Sequence, residues 1–480
     1  MAGSHKLTKA AIGKIIDGAL KSIEKDPEGN IVKLIDRASV FLKSVFPPEN
    51  IDRIKAGMHD PENVYRQMAF NIVRDIDKNI LRTTLLALGV DGAMYGTKTV
   101  RENRDKYDCN IPWLILMDPT SACNLHCKGC WSAEYGHHQN LSYDEMQSVI
   151  DQGRALGTHL YMMTGGEPLI RKDDIIRLCE NNPDCAFGAF TNGTLVDEKL
   201  CEEIRRVGNF FLILSIEGTE ESNDARRGKG AYAKTTAAMD LLRENRCLFG
   251  ISVCYTRLND EFVTSDDFLD NMVAHGAKFG MYFNFMPVGR GADPDLIPTP
   301  AQRKYMYEWI RRVRNGKTGK PMFIFDFQND GEFVGGCIAG GRRYFHINSA
   351  GDMEPCVFIH YSDSNIREKT ILEALRSPLF MAYRRGQPFN DNHLRPCPML
   401  ENPQILRKIV KTTGAKSTDL LIEEAVDTLC GKCDAFAFEW APQAKELWES
   451  TSHKKTHTQY YRDRHPEYDV SEFHASDGDE

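Results

Sequence analysis

Between Asp108 and about Gly319, short apolar runs rich in β-formers alternate with helical patterns, and no other feature constrains the fold as tightly. The strand-like runs are Trp113–Asp118, His159–Thr164, Cys185–Thr191, Phe210–Ile216, Phe249–Tyr255 and Phe279–Met286. Amphipathic helical stretches such as Ser142–Leu156, Asp197–Val207 and Tyr232–Glu244 separate them. This alternation predicts an α/β fold of parallel β/α units, a partial (β/α)6 TIM-like barrel. Chemistry in such barrels gathers on loops at the C-terminal ends of the strands.

The flanks have a different texture. From Lys6 to Val90, apolar residues recur every three or four positions, as in Ile12, Ile15, Ile16, Ala19, Leu20 and Ile23, and again in Val64, Met68, Ile72, Val73 and Ile76. Pro47, Pro48 and Pro61 split this region into separate helices. Residues Gly92 to Tyr107 read as a linker. Beyond Lys320 the pattern is irregular, with a hairpin of Tyr344–Asn348 and Met353–Phe358 around Gly351 and a helix near Ser417–Leu429. The polar stretch after Ser450 reads as a mobile tail. The expected divisions are an N-terminal helical region and linker (1–107), a barrel (108–319), a small C-terminal domain (320–450) and the tail (451–480).

Composition narrows the function classes. A net charge of −8 argues against a dedicated nucleic-acid binder, so no nucleic-acid partner is expected. No apolar run is long enough for a transmembrane segment, and MAGSHKLTK lacks a secretory core. A cytoplasmic location follows, with peripheral membrane contact left open. In the reducing cytosol fourteen cysteines are a poor disulfide framework, so spacing decides which are ligands.

Cys123, Cys127 and Cys130 form a C-x3-C-x2-C triplet directly after the first strand. Three clustered thiolates need a cation, and soft thiolate sets favour iron–sulfur clusters or zinc. Three ligands on a four-iron cluster leave one iron open. The alternatives are chance clustering of core cysteines, a zinc site completed by His126 or His137, and a closed electron-transfer cluster. After the second strand comes Thr164-Gly165-Gly166-Glu167-Pro168, where two glycines permit a close backbone approach. Strand three ends in Thr191-Asn192-Gly193-Thr194. On strand four Ser215 and Glu217 alternate to one side. An acidic stretch then leads to Arg226 and Arg227.

The triplet resembles the signature of the radical S-adenosylmethionine (SAM) superfamily. The resemblance implies a [4Fe-4S] cluster on Cys123, Cys127 and Cys130 whose free iron is chelated by SAM. It implies that Gly165, Gly166 and Glu167 hold the SAM amino group and that Ser215 and Glu217 hold its ribose. Arg226, preferred over Arg227, would meet the SAM carboxylate, since arginine pairs bidentately with carboxylates. Asn259, after strand five, is a further candidate. The sequence departs from the family pattern in one place. The family carries an aromatic just before the third cysteine; here Gly129 stands there and Trp131 follows the cysteine instead.

Downstream, Cys337 and Cys356 flank the Gly351 hairpin, and Cys430 and Cys433 form a C-x2-C pair. This arrangement resembles the SPASM and twitch domains, which hold auxiliary [4Fe-4S] clusters. The first-choice ligands are Cys337, Cys356, Cys430 and Cys433. Cys397 is a surplus thiol that could replace one of them. A zinc knuckle is the competing reading. Cys109, Cys179, Cys185, Cys201, Cys247 and Cys254 show no ligand spacing and read as core or surface thiols.

The resemblance implies an enzyme that reductively cleaves SAM to a 5′-deoxyadenosyl radical and abstracts hydrogen from a small-molecule or lipid substrate. A ferredoxin- or flavodoxin-type donor would supply the electron. One alternative is a peptide-modifying maturase, although the first 90 residues lack the three-stranded winged-helix module that such enzymes often carry. An alternative of another class is an iron–sulfur electron carrier or redox sensor. The helices at Ile12–Ile23 and Val64–Leu88 either pack on the barrel or form a cap that meets an apolar substrate.

Overall fold

The computed structural model describes residues 2–42, 48–289, 292–451, 473 and 475. Six strands fall within the expected runs: β1 (Leu114–Met117), β2 (Leu160–Met163), β3 (Ala186–Thr191), β4 (Phe210–Ser215), β5 (Phe249–Tyr255) and β6 (Phe279–Asn284). The sheet continues past residue 319 with β7 (Phe323–Asp326), β8 (Tyr344–Ile347) and β9 (Met353–Glu354). The spatial order is β7-β6-β5-β4-β3-β2-β1-β8-β9. All pairs are parallel except β8 with β9, the expected hairpin, in which His346 lies opposite Glu354. The curved sheet has two open edges, β7 and β9.

Both faces of the sheet are buried, which is why its strands are almost continuously apolar. Ile115, Met117, Tyr161, Phe187, Leu212 and Ile251 point outward into the helices. Leu116, Met162 and Ile213 alternate inward and share one core with Cys356, Cys430, Cys433 and Trp440. The C-terminal part therefore packs around the barrel lumen and does not close a separate core.

The N-terminal helices are Ala2–Lys25, Pro27–Leu42, Pro48–His59, Val64–Asp75 and Lys78–Thr84. A π-helical stretch, Leu85–Gly96, then runs straight into helix Thr97–Tyr107. The expected linker at 92–107 is thus helical. Its glycines serve close packing: a Cβ on Gly96 would lie 2.5 Å from the Gly157 carbonyl oxygen.

These helices dock where the strands begin. Asn79 donates to the carbonyls of Arg205 and Arg206 ahead of β4, at 2.8 and 3.1 Å. Arg246, ahead of β5, donates to the Arg74 carbonyl, and Lys278, ahead of β6, pairs with Asp75. The helices plug the bottom of the barrel, opposite the loops that carry the chemistry. Of the two readings of these helices, packing on the barrel is the one the contacts support. Ile23 turns into a small core with Ile31 and Met58, while Ile15 faces solvent.

The expected helix at 417–429 is replaced by a short strand, Lys416–Ser417, paired with Tyr361–Ser362, then an open loop, then helix Val426–Gly431. Tertiary bonds outweigh local preference here: Asp419 pairs with His360 at 2.7 Å and Thr418 donates to Glu354. Helix Asp434–Ser450 follows. The expected mobile tail lies outside the described residues, apart from Thr451, Phe473 and Ala475. Phe473 and Ala475 are buried, and the Ala475 amide donates to the Phe389 carbonyl at 2.8 Å. No helix among the described residues is long and apolar enough to cross a membrane.

Candidate metal centres

The triplet loop leaves β1 and crosses the open end of the barrel. The loops after β2 and β3 hold it. Gly166 and Glu167 amides donate to the Thr120 and Ala122 carbonyls at 3.0 and 2.8 Å. Asn124 donates to Thr194 and accepts from Asn192, at 2.8 and 2.9 Å. The Lys128 amide donates to the Arg226 carbonyl at 2.9 Å. Cys130 Sγ lies 3.3 Å from Ser132 Oγ, which itself donates to the Gly165 carbonyl.

Cys123, Cys127 and Cys130 are half-buried. Burial pushes the Cys123 thiol up to about 11, with Glu167, Cys130 and Cys127 adding to the rise. Burial also raises Cys127, against the lowering effect of Arg227 and Arg226. Thiols gathered in this way ionise only when a cation compensates, so the donor set fits a cationic cluster. Their spacing also bears on the zinc alternative. A tetrahedral zinc with bonds of about 2.3 Å would hold its sulfurs roughly 3.8 Å apart. Among the described residues the His/Cys/Asp/Glu trio with donor atoms all within 4.8 Å is His159, Asp184 and Cys185. Neither cysteine set is gathered that tightly. The trio is a satisfied structural group. His159 Nδ1 lies 2.9 Å from the Asp184 carbonyl oxygen, and Arg154 donates to the Asp184 carboxylate at 3.2 Å.

The geometry gives the glycine pair a specific job. At Gly165, φ is +100° and a Cβ would lie 2.6 Å from the Thr120 carbonyl oxygen. At Gly166 a Cβ would lie 2.1 Å from the Ala122 oxygen. Both glycines let the triplet loop pass directly over the β2 loop. Glu167 is fully buried and accepts from Leu169 N, Thr191 Oγ1 and Asn192 N, at 3.0, 2.7 and 2.9 Å. Its carboxylate ties the β2 loop to the β3 loop.

Ser215 points inward and is half-buried beside Ser252 of β5. Glu217 is fully buried two residues on. Its Oε1 accepts from both Arg226 and Arg227, so the two arginines act as one cationic pair. Its Oε2 is buried without a partner, a polar atom for which the protein itself supplies no bond. Asn259 donates to the Cys254 carbonyl and shapes the same rim.

Arg227, ranked behind Arg226 in the sequence reading, shares Glu217 with it, and Cys254, read there as a core or surface thiol, lies near the same site. Cys254 lies on the inward face of β5 in the fields of Arg226, Glu217 and Cys130. Strand alternation was the available signal, because it puts Ser252 and Cys254 on the face shared with Ser215 and Glu217.

In the C-terminal part Cys356, Cys430 and Cys433 are buried, and Cys337 and Cys397 are half-buried. Burial pushes Cys337 up to about 11 and Cys356 and Cys430 up to about 12. The buried Tyr383 hydroxyl feels Cys337, Cys356, Cys397 and Cys430 together. Tyr344 Oη lies 2.8 Å from Cys356 Sγ. Cys397 accepts from the Met399 and Leu400 amides at 3.4 Å and lies in the fields of Cys337 and Cys356. Cys397 therefore belongs to this group spatially, although its sequence spacing set it apart.

A buried polar network joins the two regions. His346 Nε2 lies 2.9 Å from Asp118, at the end of β1, and its Nδ1 lies 2.6 Å from Glu354. Tyr135 Oη and Asn348 Nδ2 also donate to Glu354, at 2.8 and 3.1 Å. The neighbouring Asp118 and Glu354 carboxyl groups overcome desolvation and lift His346 to about 10, which favours its protonated form. Trp131 lies beside it, with ring centroids 5.7 Å apart, and also touches Phe358 and His360. No sequence motif signals this network. Phe358 continues to Phe283 and Phe327, and Phe283 to Phe190, so half-buried aromatic rings line the lumen.

Residues 117–269 match the family model described as the Radical SAM superfamily. An AdoMet-dependent heme synthase of Methanosarcina barkeri is 28% identical over 291 residues, covering 55% of this chain and 82% of that protein. Mycofactocin maturase MftC of Mycolicibacterium smegmatis is 28% identical over 265 residues, covering 52% of this chain and 65% of that protein. The crystal structure of Streptococcus suis SuiB bound to precursor peptide SuiA superimposes with a TM-score of 0.51 at 16% identity, covering 60% of this chain and 70% of that one.

Proposed function

This chain belongs to the radical SAM superfamily, and from that premise we propose that it takes hydrogen from a largely apolar small molecule held in the barrel lumen. The SAM-binding [4Fe-4S] cluster is assigned to Cys123, Cys127 and Cys130. The observation that carries this reading is the triplet's setting: three half-buried thiols gathered on one loop at the open end of the barrel, beside a buried acceptor atom on Glu217.

When bound, the reduced cluster and SAM supply a 5′-deoxyadenosyl radical, the one step the protein cannot perform alone. The chain's residues bind, orient and exclude water. Glu217 accepts a ribose hydroxyl at its unpartnered oxygen, and Ser215 faces the same ribose. The Arg226–Arg227 pair meets the SAM carboxylate while neutralising Glu217. The backbone at Gly165 and Gly166 shapes the seat of the amino group, and Glu167 holds that backbone in place. Trp131, Phe190, Phe283, Phe327 and Phe358 form the lumen wall, which favours an apolar substrate and keeps water from a reactive radical. An auxiliary [4Fe-4S] cluster is assigned to Cys337 and Cys356 with two of Cys397, Cys430 and Cys433. A ferredoxin- or flavodoxin-type protein in a cytoplasmic setting supplies the electron.

A peptide substrate is the second reading. It is favoured by the relative named as a mycofactocin maturase. Anaerobic incubation with SAM and dithionite should yield 5′-deoxyadenosine, and failure to form it would sink the enzymatic reading. Isotope-labelled SAM with a metabolite extract, and separately with a peptide fraction, decides between the substrates by which fraction acquires the label.

A further inference from the structure

The family motif places an aromatic residue before the third cysteine, and this chain has Gly129 there. Gly129 adopts a φ of +63°, a left-handed conformation that side chains other than glycine rarely hold. A Cβ built on Gly129 would lie 2.7 Å from the ring of Phe285 and 3.9 Å from Leu296. The space a motif aromatic would enter is therefore already filled, from outside the loop. Phe285 stands at the C-terminal end of β6, 155 to 162 residues after the triplet, and only 1% of its surface is exposed. Its amide donates to the Tyr255 carbonyl at 3.0 Å, which fixes the ring over the loop. Leu296 is held similarly, its carbonyl accepting from Arg257 N at 3.0 Å.

The other supports of the loop are polar. They come from the β2 loop, the β3 loop and the end of helix Glu220–Arg227. The β6 side is apolar. The Lys128 amide bond to the Arg226 carbonyl holds the Cys127–Cys130 turn from one side, and the Phe285 ring packs against it at Gly129 from the β6 side.

We propose that Phe285 is a positioning residue for the SAM-cluster loop, taking over from β6 the packing that the motif aromatic supplies from within the loop. The proposal rests on the assignment of the first cluster to Cys123, Cys127 and Cys130. Phe285 acts through the loop and touches no reacting atom. The exchange also explains why the loop can carry Trp131 on its other side. With the β6 side filled by Phe285, the loop's own aromatic turns toward His346 and Phe358.

The test compares anaerobically reconstituted wild type, Phe285→Leu and Phe285→Ala, each with and without Gly129→Ala. The readouts are iron content, melting temperature, SAM dissociation constant, and the change that SAM produces in the electron paramagnetic resonance spectrum of the reduced cluster. Phe285→Ala should weaken SAM binding about tenfold and shrink the SAM-induced spectral change at wild-type iron content. Phe285→Leu, which keeps an apolar plug, should retain most of both. Gly129→Ala should cost more SAM affinity in the wild type than in the Phe285→Ala background, because the second background removes the clash. Wild-type SAM affinity and spectrum in both Phe285 variants would overturn the proposal. So would losses that simply follow iron content or melting temperature. A Cys123→Ala control that kept full iron and SAM affinity would instead break the underlying cluster assignment.

Discussion

The cysteines after β1 sit on a half-buried loop tied down by hydrogen bonds, whereas those of the C-terminal part are set into an apolar core. Cys123, Cys127 and Cys130 keep one side open to the barrel mouth. Cys430 and Cys433 are fully buried in the cluster that contains Trp440 and Leu406. The same residue type is thus held in two ways. A site that must admit a small molecule is assembled from loops with spare polar atoms, such as Glu217 Oε2. On the proposed reading, the C-terminal set holds an auxiliary cluster built into packing, where burial slows exchange with solvent. His346, between Asp118 and Glu354, is the point where the two regions are joined.

The comparison can be broken most directly by removing each cysteine set. Replacing Cys123, Cys127 and Cys130 by alanine should abolish 5′-deoxyadenosine formation and remove about half of roughly eight irons per chain, with little change in melting temperature. Replacing Cys430 and Cys433 should remove the other half and lower the melting temperature clearly, because two buried side chains leave a cavity. Equal thermal effects would end the distinction.

His346→Ala should cost about 3–5 kcal/mol in urea unfolding, since it strands two buried carboxylates. The sign of its pH dependence follows from the raised pKa. Stability from the protonated ring is fully present below about 6.5 and is lost as the pH rises through about 10. An unfolding free energy that stayed flat across that window, after correction for other groups, would contradict the ion-pair reading.

Alkylation of the metal-free protein sharpens the contrast between the sets. With Cys123 near 11 against an ordinary 9.0, its thiolate fraction at pH 8 falls about a hundredfold below that of a free cysteine. Cys356 and Cys430, near 12, fall about a thousandfold below it and are also shielded. Mass spectrometry should therefore find Cys123 modified before Cys356 and Cys430. Glu217→Gln is the mildest change: SAM affinity should drop about tenfold with both clusters retained. Unchanged affinity in a calorimetric titration would remove Glu217 from the SAM site.

The six barrel strands were legible because period-two alternation and flanking helices are local signals. The triplet and the Cys430–Cys433 pair stand out in the sequence because thiols that share one loop or one helix turn are close in sequence, and their role as ligands is the reading proposed above. The glycines at 92 and 96 misled for the converse reason. Glycine marks both flexible joints and tight contacts, and only the neighbouring Gly157 carbonyl tells them apart. Cys397 had no local partner in sequence, yet it lies in the fields of Cys337 and Cys356.

By itself the sequence determined a β/α barrel, the thiols available to hold metal and the loop that carries the first set. Only the tertiary structure decided that the N-terminal helices plug the barrel's bottom, that Arg226 and Arg227 share Glu217, that His346 bridges Asp118 and Glu354, and that Phe285 packs against Gly129. The physical reason is range. Periodicity and spacing report forces between residues a few positions apart, while these contacts join residues brought together only when the sheet closes around its lumen.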